Sequence, residues 1–117
     1  MTEQEMKQRT KAFALRAIKV ARNVSKDFVG RRLGDQLLRC GTSVAANYRA
    51  ACRARSVADF INKLGIAEEE SDESALWMEL LTESGLVPPR RLEKLLDEAN
   101  QITAILVASK RTSRARR

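Results

Sequence analysis

Apolar side chains recur along most of the chain at alternating steps of three and four residues, the spacing of one packed seam on an α-helix. The first run is Met6, Thr10, Phe13, Ala17, Val20 and Val24, and Leu33, Leu37, Cys40, Val44, Asn47 and Ala51 continue the rhythm. A third seam holds Phe60, Leu64, Ala67, Ser71, Ser74, Met78 and Leu81, and a fourth Leu92, Leu95, Leu96, Ala99, Ile102 and Leu106. Gly30 and Gly34 are expected to flank the first connection. Ser56 followed by Asp59 has the form of a capping box opening the third helix, and Gly85 supplies its stop. Pro88 and Pro89 suit the start of the fourth, because their missing amide hydrogens fall where no intrahelical acceptor exists. The pattern predicts an all-α fold, an antiparallel up-down-up-down four-helix bundle over residues 1–109, followed by a basic C-terminal tail at 110–117.

The second helix departs from the others in composition. Gly41, Thr42, Ser43 and Val44 are weak helix formers, and Ala45, Ala46, Ala50 and Ala51 are small. Weak propensity has to be offset by packing, so this helix is expected to be central, with close approach by a neighbour. Gln36, Ser43 and Asn47 then need buried partners and are expected to form a polar layer that fixes register.

A chain of 117 residues with 44% hydrophobic composition is one domain with a core of its own. No apolar run approaches the roughly 20 residues of a membrane span, and Met1 to Thr10 lack an apolar signal core, so a cytoplasmic protein is expected. Cys40 and Cys52 lie about 18 Å apart on one helix, too far to bridge. With no histidine in the chain, neither the usual zinc site nor a Glu-x-x-His di-iron site can form. No metal or cofactor is expected. The carboxylates Glu68, Glu69, Glu70, Asp72 and Glu73 lack such partners, Ser43 and Cys40 lack an activating base, and no phosphate or dinucleotide loop occurs, so no enzymatic activity is expected.

Charge is sorted into blocks. Residues 1–58 hold 13 Lys and Arg against 4 Asp and Glu, residues 59–109 hold 4 against 11, and the last eight hold 5 against none. Antiparallel geometry sets Arg39 opposite the acidic stretch, which predicts a structural, partly buried pair with Asp72 or Glu73. Arg16, Lys19, Arg22 and Lys26 form a basic stripe on the first helix, and Lys110, Arg111, Arg114, Arg116 and Arg117 can add a mobile arm. Cationic surfaces of this kind bind phosphate backbones through counterion release. Too few free aromatic residues remain for base stacking, so binding to RNA or DNA would be largely independent of sequence. The alternative is a protein-interaction scaffold whose basic surface receives an acidic partner, with no nucleic-acid role.

Leu37-Leu38-Arg39-Cys40-Gly41-Thr42-Ser43-Val44-Ala45-Ala46-Asn47, then Arg55-Ser56, Asp59-Phe60 and Leu64-Gly65-Ile66-Ala67 with Glu73 beyond, carry a resemblance. The chain resembles the four-helix bundle proteins encoded in intervening sequences of large ribosomal RNA genes, and is similar to the accessory protein of diversity-generating retroelements. The resemblance implies a homo-oligomer, a pentamer above all, with a basic surface. It also implies nucleic acid and a reverse transcriptase as partners. Cys40 stands where many members have Ser, and Glu69-Glu70 where Gly-Ser is common.

Overall fold

The computed structural model describes residues 1–116 and holds four helices: α1 (Glu3–Asn23), α2 (Phe28–Cys52), α3 (Val57–Glu83) and α4 (Pro89–Arg116). Each of the first three starts on a polar cap that satisfies an otherwise orphaned amide. Thr2 Oγ1 accepts from Glu5 N at 3.0 Å, Asp27 Oδ1 accepts from Val29 N and Gly30 N at 2.9 Å, and Ser56 Oγ accepts from Asp59 N at 3.0 Å. Helix α3 ends just before Gly85, whose φ of +85° is open only to a residue without a Cβ at little cost, and α4 begins on Pro89.

The four helices form a bundle measuring 47 × 20 × 19 Å, and the contacts between consecutive helices are compatible with an up-down-up-down course. The pairing is visible in side-chain contacts: a Cβ on Gly41 would meet Ala17, Arg39 reaches Glu70 and Glu73, and Ser71 meets Ala99 and Thr103. Consecutive helices pack most closely, and α1 meets α4 much less. The predicted seams fill the core. Phe13, Leu37, Leu64, Met78, Leu81, Ile102 and Leu106 are fully buried, each contributing about 1.5–3 kcal/mol of hydrophobic stabilisation.

Three details differ from the sequence reading. Gly30 and Gly34 do not flank the first connection, which runs from Val24 to Asp27; both lie inside α2. Their job is close approach, since a Cβ on Gly30 would run into the Val24 carbonyl oxygen and one on Gly34 would sit 3.0 Å from Val24 Cγ2. Residues 110–116 continue α4 rather than leaving the bundle as a mobile arm, because Lys110 lies over Gly65 and its Nζ is 2.7 Å from Glu68 Oε1. Arg117, also assigned to the tail, lies outside the described residues.

The polar layer also has a different membership. Gln36 is exposed and accepts a long 3.5 Å contact from Arg39, while Asn47 Nδ2 donates to Ser43 Oγ and the Ser43 carbonyl within the same helix. The buried cross-helix bonds come from elsewhere: Ser71 Oγ donates to Ala99 O at 2.9 Å, Thr103 Oγ1 to Ser71 Oγ at 3.0 Å, and Ser74 Oγ to Cys40 Sγ at 3.2 Å. These short hydroxyls tie α3 to α4 and to α2 at mid-height, where a polar group placed out of register would lose its partner.

Candidate nucleic-acid interface

Between Met6 and Lys26 the chain has seven cations and no carboxylate. Burial of Met6, Thr10, Phe13, Ala14 and Ala17 against the bundle turns those cations outward or onto the flanks of α1. Arg16, Lys19, Arg22 and Lys26 are exposed, and none forms an ion pair among the described residues.

Arg16, Lys19 and Arg22 are on α1, whereas Lys26 lies beyond its end, in the connection to α2. Arg16 and Lys19 line a groove of about 450 Å³ between α1 and α4, with Arg91 contributed by α4. Its remaining lining is Asn23 and the aliphatic side chains Val20, Val24, Leu86, Val87, Leu92 and Leu95. Arg22 and Lys26 lie outside that groove, toward the α1–α2 turn. A second cluster lies on the other flank of α1. Lys7, Lys11, Arg49 and Arg53 surround a shallow trough of about 320 Å³ with Ala45, Ala46 and Ala50.

Sequence reasoning missed this second cluster because its members come from two helices more than thirty residues apart. The available signal was the Arg49 and Arg53 pair, which repels across one turn unless an anion covers it. Arg111, Arg114 and Arg116 are exposed near the C-terminus of α4, about 30 Å along the helix from Arg91. Lys110 is occupied by Glu68.

Burial pushes the thiols of Cys40 and Cys52 up, away from the thiolate form. Among the described residues no group of three His, Cys, Asp or Glu side chains is placed to hold a metal ion.

Residues 2–108 match the family model described as 23S rRNA-intervening sequence protein. The chain belongs to that family. It is also similar to a crystal structure from Bacteroides thetaiotaomicron, described as a protein of unknown function from the S23 ribosomal protein family. The two share 32% sequence identity over 95% of this chain and 99% of that one, with a TM-score of 0.88. No curated protein gives a significant match.

Within the intervening-sequence fold, the Arg39, Ser43 and Asn47 row lies along one side of α2, and among the described residues only Arg39 of the three forms a side-chain hydrogen bond to another helix. Arg39 Nη1 is 3.2 Å from Glu70 Oε2 and Nη2 is 3.1 Å from Glu73 Oε1. These contacts raise the Arg39 pKa, the hydrogen bond to Glu73 foremost. The sequence suggested a partly buried pair with Asp72 or Glu73; Glu73 is a partner, but the Arg39 side chain is 53% exposed, and Asp72 faces solvent with no partner among the described residues. The better-shielded bridge is Arg9 to Glu98, which joins α1 to α4.

Proposed function

We propose that the protein is a self-assembling helical bundle that binds nucleic acid through the phosphate backbone, acting as an accessory factor rather than as an enzyme. The observation that carries this reading is the outer surface of α1, which has no carboxylate beyond its first turn, together with the adjoining cations of α2. Arg16, Lys19, Arg22 and Lys26 lie at one end and Lys7, Lys11, Arg49 and Arg53 at the other, with only Lys7 facing a carboxylate, an exposed one at 3.4 Å from Glu3. Cations held close together without intramolecular anions gain most from a polyanion, because each neutralised phosphate releases counterions. Arg111, Arg114 and Arg116 extend the positive surface at the far end of α4. The family's printed description ties its members to interrupted 23S rRNA, which makes RNA the first ligand to test.

Fluorescence anisotropy against unrelated RNA and DNA oligonucleotides of equal length tests this reading. The expected result is similar affinity across sequences and a log-log salt slope of about −0.9 per phosphate contacted on duplex DNA, or about −0.7 on single strands. Changing Lys11, Arg49 and Arg53 to Gln should weaken binding to every sequence alike, as should Gln at Arg16, Lys19, Arg22 and Lys26. No binding at about 50 mM salt, where backbone contacts are strong, removes the nucleic-acid role and leaves a scaffold for an acidic protein.

A further inference from the structure

The groove between α1 and α4 has an amphipathic lining whose aliphatic part a phosphate backbone does not use. Its floor is aliphatic, with Val20, Val24 and Leu92 among its side chains, while Arg16, Lys19 and Arg91 supply three cations and no carboxylate lines it. None of those cations is in an ion pair among the described residues. An occupant that matches both features carries apolar side chains beside carboxylates.

The chain itself presents such a surface on the outward side of α3. Helix α3 holds eight carboxylates and one lysine, and it exposes two leucines one turn apart, Leu76 at 45% and Leu80 at 39%. Their i, i+4 spacing makes a short ridge on the outward side of the helix. Asp72 lies one turn before it, and Glu79 and Glu83 run alongside; none of the three carboxylates has a cationic partner among the described residues. Glu79 and Glu83 also repel each other across one turn, a cost that nearby cations would remove. The other α3 carboxylates in ion pairs, Glu68, Glu70 and Glu73, face Lys110 and Arg39 along the flanks of the same molecule. The outward set has no such use within one copy.

We infer that the Leu76 and Leu80 ridge of one copy docks into the α1/α4 groove of a second copy, with Asp72, Glu79 and Glu83 facing Arg16, Lys19 and Arg91. The ridge from Asp72 to Glu83 is about 16 Å long, and the α1 wall from Arg16 to Asn23 about 10 Å, so two to three turns of α3 engage the groove. Ridge and groove are different surfaces, so the contact is head-to-tail. Such contacts close into a ring when the rotation between copies divides a full turn. This inference rests on the reading of the protein as self-assembling and gives that assembly an address.

Sedimentation velocity on the full chain over a range of concentrations tests it, with two variants altered only at exposed positions. One is Leu76→Gln with Leu80→Gln, which leaves every charge in place; the other is Arg16→Glu with Arg91→Glu. Each is expected to weaken self-association about tenfold or more, the size of effect seen when central interface residues are truncated. Circular dichroism at low temperature should show both still helical.

Mixing the two variants is the decisive arm. The leucine variant keeps an intact groove and the arginine variant an intact ridge, so together they should form a 1:1 pair that cannot grow further. A wild-type chain that stays monomeric at every concentration overturns the assembly reading and this inference with it. A wild-type assembly that both variants leave unchanged, or a mixture that forms no pair, overturns the docking geometry alone. An unchanged assembly whose groove still takes a synthetic acidic amphipathic helix assigns the groove to a foreign partner and overturns the second copy as occupant.

Discussion

Breaking the Arg9 bridge should loosen the weakest seam of the bundle. Arg9 donates from Nε and Nη2 to the two oxygens of Glu98, each at 2.7 Å, and Nη2 also reaches Gln101 Oε1 at 2.6 Å. The hydrogen bond to Glu98 is the main reason the Arg9 pKa rises, with burial opposing it. Exposed ion pairs contribute roughly 0.2–1 kcal/mol, and removing one partner of a fully buried pair costs about 3–5 kcal/mol. The two side chains are 23% and 19% exposed, and the forked geometry strengthens the pair, so about 1–2 kcal/mol is expected after allowing for solvent screening. At roughly 4 °C per kcal/mol for a domain of this size, Arg9→Met should lower Tm by about 4–8 °C. Methionine keeps the apolar stem and removes only the guanidinium, which isolates the bridge from lost packing. The assay is a double-mutant cycle of Arg9→Met, Glu98→Gln and both together, followed by thermal circular dichroism at one fixed protein concentration, because self-association would make Tm depend on concentration. Additivity within about 0.5 kcal/mol would show that the bridge contributes nothing and that α1 is held by its apolar seam alone.

Two further outcomes follow from the same contacts. Gly41→Val should destabilise the fold by about 1–3 kcal/mol through overpacking, since even a Cβ there would sit 2.7 Å from Ala17 Cβ, whereas Gly65→Ala should raise Tm, because its Cβ would meet only Lys110 at 3.8 Å and alanine gains up to about 1 kcal/mol in helix propensity. Arg39→Ala should lower Tm less than Arg9→Met does, because Arg39 is mostly exposed while Arg9 is not; equal losses in parallel melts would contradict that ranking.

Helix number, order and core faces were legible because the apolar steps of three and four report directly which side of each helix is covered. The first turn was misplaced for a physical reason. Glycine usually breaks a helix, but Gly30 and Gly34 sit inside α2 where α1 comes too close for a Cβ, and the real boundary signal was the Asp27 cap. Polar positions were harder. Gln36, Ser43 and Asn47 drew attention because they interrupt a small-residue helix, yet of the pair that bonds across α3 and α4, Ser71 was hidden as an ordinary small member of a seam and Thr103 lay beside one. The Arg9 and Glu98 bridge spans 89 residues and has no local signature. The basic blocks were legible as charge, but their division into a groove, a trough and the end of α4 depends on which flank of each helix faces its neighbour.

That division changes how the two proposals relate. Arg16 and Lys19 belong to the α1 surface offered to phosphate and also to the groove offered to a second copy. A side chain cannot be neutralised fully by both at once, so assembly would leave phosphate to Lys11, Arg22, Lys26, Arg49 and Arg53. These remaining cations lie on the outer sides of α1, the α1–α2 turn and α2, away from the groove lining. In a ring of identical copies each copy would repeat the set, and a long polyanion touching several copies would bind far more tightly than one copy does, because each later contact is intramolecular. The outward carboxylates of α3 serve that arrangement as well. Buried against the neighbour's groove, they would no longer repel an approaching phosphate chain, so under these two proposals the acidic helix and the basic surface would stop working against each other only on assembly.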